Sequence, residues 1–252
     1  MDDRQDILND FARRSLRCTA DQDYIAARMS FKARLKEPFL WSSLHAIEKY
    51  LKSILLFNGV DAIHKNEIKK SNDRLGHDIV SALDRVKGIK GFEFTFTNRS
   101  ESFISYLNEY GTNRYFVYSS SIGGADLDNL DHTIWHIRRY CFDINIEYSE
   151  GIFPYRDKAY FGQYETQPHK YKLRDGREDD LLEKIIKDKS DAYSHLVWHN
   201  QYFGQRNKKA INNSIDWFSM ENPTEHITYN EFKVLENFIY FSNEEKSYFK
   251  RK

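Results

Sequence analysis

The chain has few cysteines, few prolines, no net charge and no long apolar run, and each shortage argues against a class of protein. Its two cysteines, Cys18 and Cys141, are far apart in sequence. We therefore expect neither a zinc finger nor a disulfide framework. The low cysteine content fits a protein of a reducing compartment better. Lysine and arginine together number 38, and so do aspartate and glutamate. This balance argues against binding of nucleic acid through the net charge of the protein. It still allows binding through a local basic patch.

No apolar segment approaches the roughly 20 residues that are needed to span a bilayer. The N-terminal stretch MDDRQDILNDFARRSLRC is charged throughout and lacks the apolar core of a secretory signal. We therefore expect a cytoplasmic protein without a membrane partner.

The scarcity of proline leaves room for long stretches of helical periodicity, which predict a mainly α fold. The clearest stretch is 38–59, in which an apolar stripe is followed by Asn58-Gly59 as a stop signal. In the last predicted helix, Thr228 and Glu231 have the spacing of a capping box. The other helices are predicted at 23–35, 76–86, 100–111, 125–148, 179–203 and 228–241.

The composition changes near residue 150, where aromatic and turn-forming residues become frequent. We therefore divide the chain into an N-terminal segment 1–19, a helical bundle at 20–148 and a C-terminal region at 150–252. That last region is expected to be α-rich, partly irregular and of no recognised type. For two segments the sequence allows two secondary structures each. The alternating phenylalanines of 92–96 fit a short strand or an extended loop, and 111–118 fits a strand or a continuation of the preceding helix.

Three short motifs follow one another along the predicted bundle. They are Glu48-Lys49 in SSLHAIEKYLKSILLFNG, His77 in GHDIVSALDRV, and Arg114-Tyr115 in LNEYGTNRYFVYS. With the long helix that follows them, their order resembles the HEPN superfamily, the higher eukaryote and prokaryote nucleotide-binding helical bundles. The resemblance covers about half of the chain and implies an antiparallel helical bundle.

Many members of that family are metal-independent ribonucleases that use an Arg-x(4–6)-His element, duplicated across a dimer. Such chemistry needs an imidazole to move the proton of the ribose 2′-hydroxyl and a guanidinium to stabilise charge on the phosphate. No arginine of this chain has that spacing to a histidine, and only Leu75 and Gly76 separate Arg74 from His77. The chain therefore resembles the branch without the element, whose members are associated with nucleotide binding or with partner nucleotidyltransferases.

The resemblance implies a ligand site at its motif positions, with His77 and Arg114 as the candidates for any remaining catalysis. The planar fork of an arginine suits a phosphate, and an adjacent tyrosine completes an anion-binding corner. The implied ligand-binding residues are Glu48, Lys49, His77, Arg114 and Tyr115.

Each of these positions also has a structural interpretation. His77 can be a first-turn histidine that packs on its neighbours, and Arg114 can pair with a carboxylate on a helix surface. For Glu48 we favour an ion pair with Lys52 or Arg114, because an unpaired charge is costly inside a protein.

His132 and His136 are four residues apart, the spacing at which one helix can offer two metal ligands. However, the segment HTIWH lacks the glutamate of the HExxH motif. We predict neither a metal site nor a cofactor.

His195 and His199 have the same spacing and precede a small basic cluster in a stretch that is rich in aromatic residues. Aromatic rings interleaved with cations can stack bases and hold phosphates. The alternative, which we favour, is an amphipathic helix with aromatic core residues and a solvated basic end. The candidate nucleic-acid contacts are His199, Arg206, Lys208 and Lys209.

From these patterns we predict a nucleotide- or RNA-associated binding and interaction module that forms a homodimer and acts with a partner such as a nucleotidyltransferase. One alternative is a divergent metal-independent ribonuclease of a toxin–antitoxin or phage-defence system. It would use His77 with Arg114, or His195 and His199 with Arg206. The other is a purely structural dimer subunit. The missing ribonuclease element favours the first.

Overall fold

The structure is a computed structural model, and it is mainly helical, as the periodicity predicts. A two-residue antiparallel ladder pairs β1 (Ser121–Ile122) with β2 (Phe218–Ser219). No helix within the described residues is both long enough and apolar enough to cross a membrane. The residues that the structure describes are 3–65, 74–89, 96–112, 121–141, 181–203, 218–219, 227–241 and 243–251.

The first helical stretch begins at Asp3, so the expected start at residue 23 is wrong. Its apolar residues Ile7 and Phe11 are exposed while Asn9 and Arg17 are buried, so the sequence of this stretch shows no apolar stripe. Gln5 fixes the stretch to the end of the next long helix, because its side-chain amide donates to the carbonyl of Leu56 at 3.1 Å. The stretch consists of α1 (Asp3–Phe11), a π-helical segment (Ala12–Arg17) and α2 (Cys18–Lys32).

The central helix is α3 (Lys36–Phe57), which confirms the prediction for 38–59. Fourteen of its 22 residues are buried, so neighbouring helices cover most of its circumference. Asn58 caps its C-terminus, and Gly59 follows in a left-handed conformation at φ +68°.

Three further helices pack around α3: α4 (Ile79–Lys87), α5 (Asn98–Tyr110) and α6 (Gly124–Arg138). Side-chain caps start two of them, since Asp78 accepts from the amide of Ser81 and Thr97 from that of Ser100. The helix α6 is shorter than the predicted 125–148, because a tight turn closes it at Cys141. Residues 142–148 lie outside the described ranges. The predicted inward side chains of this segment are buried: Leu127, Leu130, Ile134, Ile137 and Cys141.

The single helix predicted at 179–203 is wrong, because two short helices occupy this segment. They are α7 (Leu181–Asp188) and α8 (Tyr193–Val197), and Lys189 breaks the run between them at φ +49°. Leu182 and Leu196 are fully buried in the same core as the bundle. The core therefore extends into the C-terminal part of the chain.

The last described helices are α9 (Tyr229–Leu235) and α10 (Asn243–Arg251). The predicted capping box is confirmed: the amide of Thr228 donates to Glu231 Oε2 at 2.8 Å, and the amide of Glu231 to Thr228 Oγ1 at 3.3 Å. The helix ends at Leu235 rather than at 241. A separate small cluster joins the two helices through Phe232, Phe241 and Phe249.

Candidate functional site

One stripe of α3 is only half-buried, although most of the helix is covered. Its residues follow helical spacing, so they share one face. They include an indole, an imidazole and two ammonium groups, which are the kinds of group that contact planar and charged ligands. This stripe is a part of the central helix that a ligand can reach, and it consists of Trp41, His45, Lys49, Lys52 and Leu56.

Glu48 lies beside this stripe. Its carboxylate contacts His77, which directly precedes the N-cap residue of α4. His77 Nδ1 is 2.8 Å from Glu48 Oε2, although 29 residues separate the two in sequence. The other carboxylate oxygen, Oε1, accepts from Lys52 Nζ at 2.6 Å. The ion pair of Glu48 with Lys52 is thus confirmed, and a histidine joins it.

The chain turn before α4 positions His77. Gly76 has φ +50°, a left-handed conformation that glycine adopts readily, and its carbonyl accepts from Lys52 Nζ at 2.9 Å. Asn108 of α5 accepts from the amide of Ile79 at 2.9 Å and so holds the start of α4. These contacts fix the backbone while the side chain of His77 stays 46% exposed.

His45 is a third titratable group in the cluster, and the sequence patterns did not single it out. Its Nδ1 is 3.7 Å from Glu48 Oε2, and its ring stands edge-on to that of His77 with 5.1 Å between the centroids. The indole of Trp41 contacts both rings, at centroid distances of 4.2 and 5.6 Å. The spacing of three residues between His45 and Glu48 is the signal that predicts a shared helix face.

Burial and hydrogen bonds set the charges of the cluster. Burial lowers the pKa of His45, so this imidazole is neutral at neutral pH. Burial raises the pKa of Glu48, but hydrogen bonds from Lys52 and His77 outweigh it, and the net pKa lies below its usual value. The carboxylate can only accept, so the bonded Nδ1 of His77 carries a proton. Nε2 of the same ring has no hydrogen bond among the described residues, and in the neutral ring it is a proton acceptor.

Lys49, which the family resemblance places in the site, is directed towards α2. Its Nζ is 2.6 Å from Asp23 Oδ2, and this ion pair joins α2 to α3. Arg114 and Tyr115 lie outside the described residues. Of the five implied ligand-binding residues, Glu48 and His77 are therefore in direct contact, and Lys49 is one helical turn from His45 on the same stripe.

His132 and His136 lie on one face of α6, with 4.3 Å between ring centroids. His132 uses both ring nitrogens, since Nε2 is 2.9 Å from Thr97 Oγ1 and Nδ1 is 2.8 Å from the hydroxyl of Tyr202. Nδ1 of His136 accepts from Arg139 at 3.0 Å. Burial lowers the pKa of His132 to about 4 and that of His136 to about 3. These contacts give the pair a structural role in packing.

The expected helical pairing of His195 with His199 is wrong, because α8 ends at Val197 and His199 has φ +53°. The buried side chain of Arg28 explains the break. Its guanidinium donates to the carbonyl of His195 at 3.0 Å and to that of Trp198, which removes these acceptors from a continuing helix. The other candidate nucleic-acid contacts lie outside the described residues: Arg206, Lys208 and Lys209.

Comparisons of the chain with protein-family models, with curated proteins and with solved structures gave no match. The site is therefore defined by its own geometry. A buried carboxylate contacts an imidazole and an ammonium group, a second imidazole stands beside them, and an indole covers one side.

Proposed function

We propose that the chain is a nucleotide- or RNA-associated binding module of HEPN type, which forms a homodimer and acts with a partner such as a nucleotidyltransferase. The contact between Glu48 and His77 carries this proposal. These residues belong to two separate motifs of the family resemblance, and the fold joins them in one hydrogen bond of 2.8 Å. If the two short motifs resembled the family only by chance, their residues would have no reason to be in contact. The contact therefore supports the resemblance.

The chemistry of the open stripe supports a nucleotide or a short single strand as the ligand. The indole of Trp41 offers a surface on which a base can stack. The imidazole of His77 can accept from a ribose hydroxyl or, when protonated, donate to a phosphate. Lys49 and Lys52 are already paired with carboxylates, so the stripe has little excess positive charge. A long duplex, whose binding depends on many unpaired cations, fits this surface less well.

A second candidate function is a divergent ribonuclease of a toxin–antitoxin or phage-defence system. The observation that favours it is the orientation of His77 by Glu48. A carboxylate that fixes the tautomer of an imidazole leaves the opposite nitrogen ready to take a proton from a hydroxyl. Charge on the phosphate would then require a cation, and Arg114 would take the place of the arginine of the missing element.

Fluorescence anisotropy with a labelled short single-stranded RNA tests the proposal, with ATP and GTP as competitors. The variants are His77→Ala and Arg114→Ala. The matched control is His64→Ala, because His64 also contacts a carboxylate, that of Asp61 at 2.6 Å, outside the cluster. We expect at least a tenfold loss of affinity in the first two variants and none in the control.

The same samples separate the alternatives. RNA that stays intact supports a binding module, whereas cleavage that His77→Ala abolishes would identify the ribonuclease. Light scattering after size exclusion should give twice the chain mass of 30.1 kDa. A dimer that binds none of the three ligands would overturn the proposal in favour of a structural subunit.

A further inference from the structure

We propose that His45, Glu48 and His77 form a binding site for a divalent transition metal, with Zn²⁺ as the ion that fits best. This inference goes beyond nucleotide binding and does not rest on it. Within the described part of the chain, these residues are the group of histidine, cysteine and acidic side chains whose ligand atoms converge. One atom from each lies within 4.8 Å of the other two.

The separations between these atoms fit a metal shell. Zn²⁺ binds histidine nitrogen and carboxylate oxygen at about 2.0–2.1 Å, so neighbouring ligands of a tetrahedral shell lie about 3.3 Å apart. Glu48 Oε2 is 2.8 Å from Nδ1 of His77 and 3.7 Å from Nδ1 of His45. The two values bracket the ideal edge, and the same oxygen faces both imidazoles. The third edge, between the ligand nitrogens of His45 and His77, is at most 4.8 Å, so closing the shell brings the two rings closer together.

The two oxygens of Glu48 have different partners, which leaves one of them for the metal. Oε1 accepts from Lys52, while Oε2 contacts the histidines. Lys52 also donates to the carbonyl of Gly76, so one ammonium group holds both the carboxylate and the turn that precedes His77. Such contacts behind the ligands orient them, as in known metal sites.

Metal binding at Nδ1 of His77 replaces the proton that this nitrogen now donates to Glu48. The ion forms a bond to the lone pair of Nδ1. In a neutral ring the proton moves from Nδ1 to Nε2. In a charged ring Nε2 already carries a proton, so the Nδ1 proton is released to solvent. No oxidant or further reactant takes part. With three protein ligands, at least one coordination position stays open for water or for an oxygen of a ligand.

The donor set indicates which ions bind and how tightly. Two imidazoles favour Zn²⁺ and its transition-metal neighbours, whereas Mg²⁺ and Ca²⁺ prefer a shell of oxygens. The ammonium of Lys52 lies 2.6 Å from the carboxylate and repels the ion. We therefore expect micromolar affinity for Zn²⁺, weaker than in a closed structural site.

Calorimetric titration of chelator-treated protein with Zn²⁺, in the absence of nucleotide, tests the site, with Mg²⁺ as the comparison ion. The variants are His45→Gln, Glu48→Gln and His77→Asn, and His64→Gln is the matched control. We expect one Zn²⁺ per chain, no Mg²⁺ heat, at least a tenfold loss of affinity in each of the three variants, and none in the control. The side chain of His77 is 46% exposed, so His77→Asn tests the site without emptying the core.

Co²⁺ provides a second readout, because its visible absorption reports nitrogen and oxygen ligation directly. We expect this absorption, and quenching of Trp41 fluorescence, in wild type but not in His77→Asn. Zinc affinity that is unchanged in His77→Asn, or no binding tighter than millimolar, would overturn the proposal. Arg114→Ala separates the two proposals, since it should lose RNA while it keeps Zn²⁺.

Discussion

Arg138, the last residue of α6, donates to both carboxylate oxygens of Asp21 on α2, at 2.8 and 3.0 Å. The same guanidinium donates to Glu183 Oε2 on α7 at 2.6 Å. All three side chains are buried. One cation thus joins the bundle to a helix from the C-terminal part of the chain and pairs with two buried carboxylates.

Replacing Arg138 by methionine should destabilise the protein by about 3–5 kcal/mol, because two buried carboxylates lose their shared cation. Urea unfolding, followed by circular dichroism, measures the change. The matched control is Lys233→Met, which breaks the exposed pair with Glu236 at 2.7 Å and should leave the urea midpoint close to that of wild type, because solvent screens this pair. Equal losses in the two variants would show that burial does not govern these ion pairs.

Two glycines that cap helices give a prediction about close packing. An added Cβ at Gly111, after α5, would stand 2.6 Å from the carbonyl oxygen of Leu107 and 3.0 Å from Cβ of Leu44 on α3. At Gly88, after α4, the nearest atoms are 3.5 Å away, which is ordinary contact. Both glycines have right-handed helical backbone angles, so conformation alone does not distinguish them.

We therefore expect Gly111→Ala to destabilise the protein by about 1–3 kcal/mol, because backbone and core atoms must move. Gly88→Ala should be neutral or stabilise it by up to about 1 kcal/mol, through a less flexible unfolded chain. Thermal unfolding of both variants measures the difference. A stable Gly111→Ala would mean that α5 does not approach α3 as closely as the structure places it.

The fold could be predicted from the sequence where one apolar stripe determines burial, as in α3. The N-terminal helical stretch was missed because polar Asn9 and Arg17 take buried positions while the apolar Ile7 and Phe11 are exposed. The break between α7 and α8 was missed because a lysine, not a glycine, takes the left-handed conformation at 189. That conformation depends on packing with the rest of the chain.

The candidate site was predicted in part. The motifs pointed to Glu48 and His77, and the charge argument gave the pair with Lys52. The contact between Glu48 and His77 depends on how α4 packs on α3, which no local pattern contains. His45 was missed for the related reason that its role depends on the neighbour across the helix interface.

The lysine at 189 leads to a third prediction. A left-handed backbone costs a residue with a side chain about 1 kcal/mol or more, and glycine avoids this cost. Lys189→Gly should therefore stabilise the protein by about 0.5–1 kcal/mol. Lys187→Gly, inside α7, is the matched control and should destabilise it by about 1 kcal/mol. Urea midpoints that move in the same direction for both variants would contradict the left-handed turn.

The neighbouring histidines of α6 predict how stability depends on pH. Burial lowers the pKa of His132 to about 4 and of His136 to about 3, against 6.5 for an exposed imidazole. Below pH 6.5 the unfolded chain thus binds protons that the folded protein does not. Stability should fall as pH falls from 6.5 towards 4, by at most about 1.4 kcal/mol per pH unit for His136 and by less for His132, which solvent screens more, and this contribution is constant above pH 7.

Unfolding free energies at pH 7.0, 6.0 and 5.0, a range chosen to lie above most carboxylate titration at about pH 4, measure this dependence. His136→Gln keeps an acceptor for Arg139 but has no titrating ring, so its stability should depend less steeply on pH than that of wild type. Proton NMR gives a direct check, because the ring signals of His132 and His136 should not move between pH 7 and pH 5. A ring signal with a midpoint near 6 would mean that the imidazole is reached by solvent, and the packing of α6 against Thr97 and Tyr202 would then be wrong.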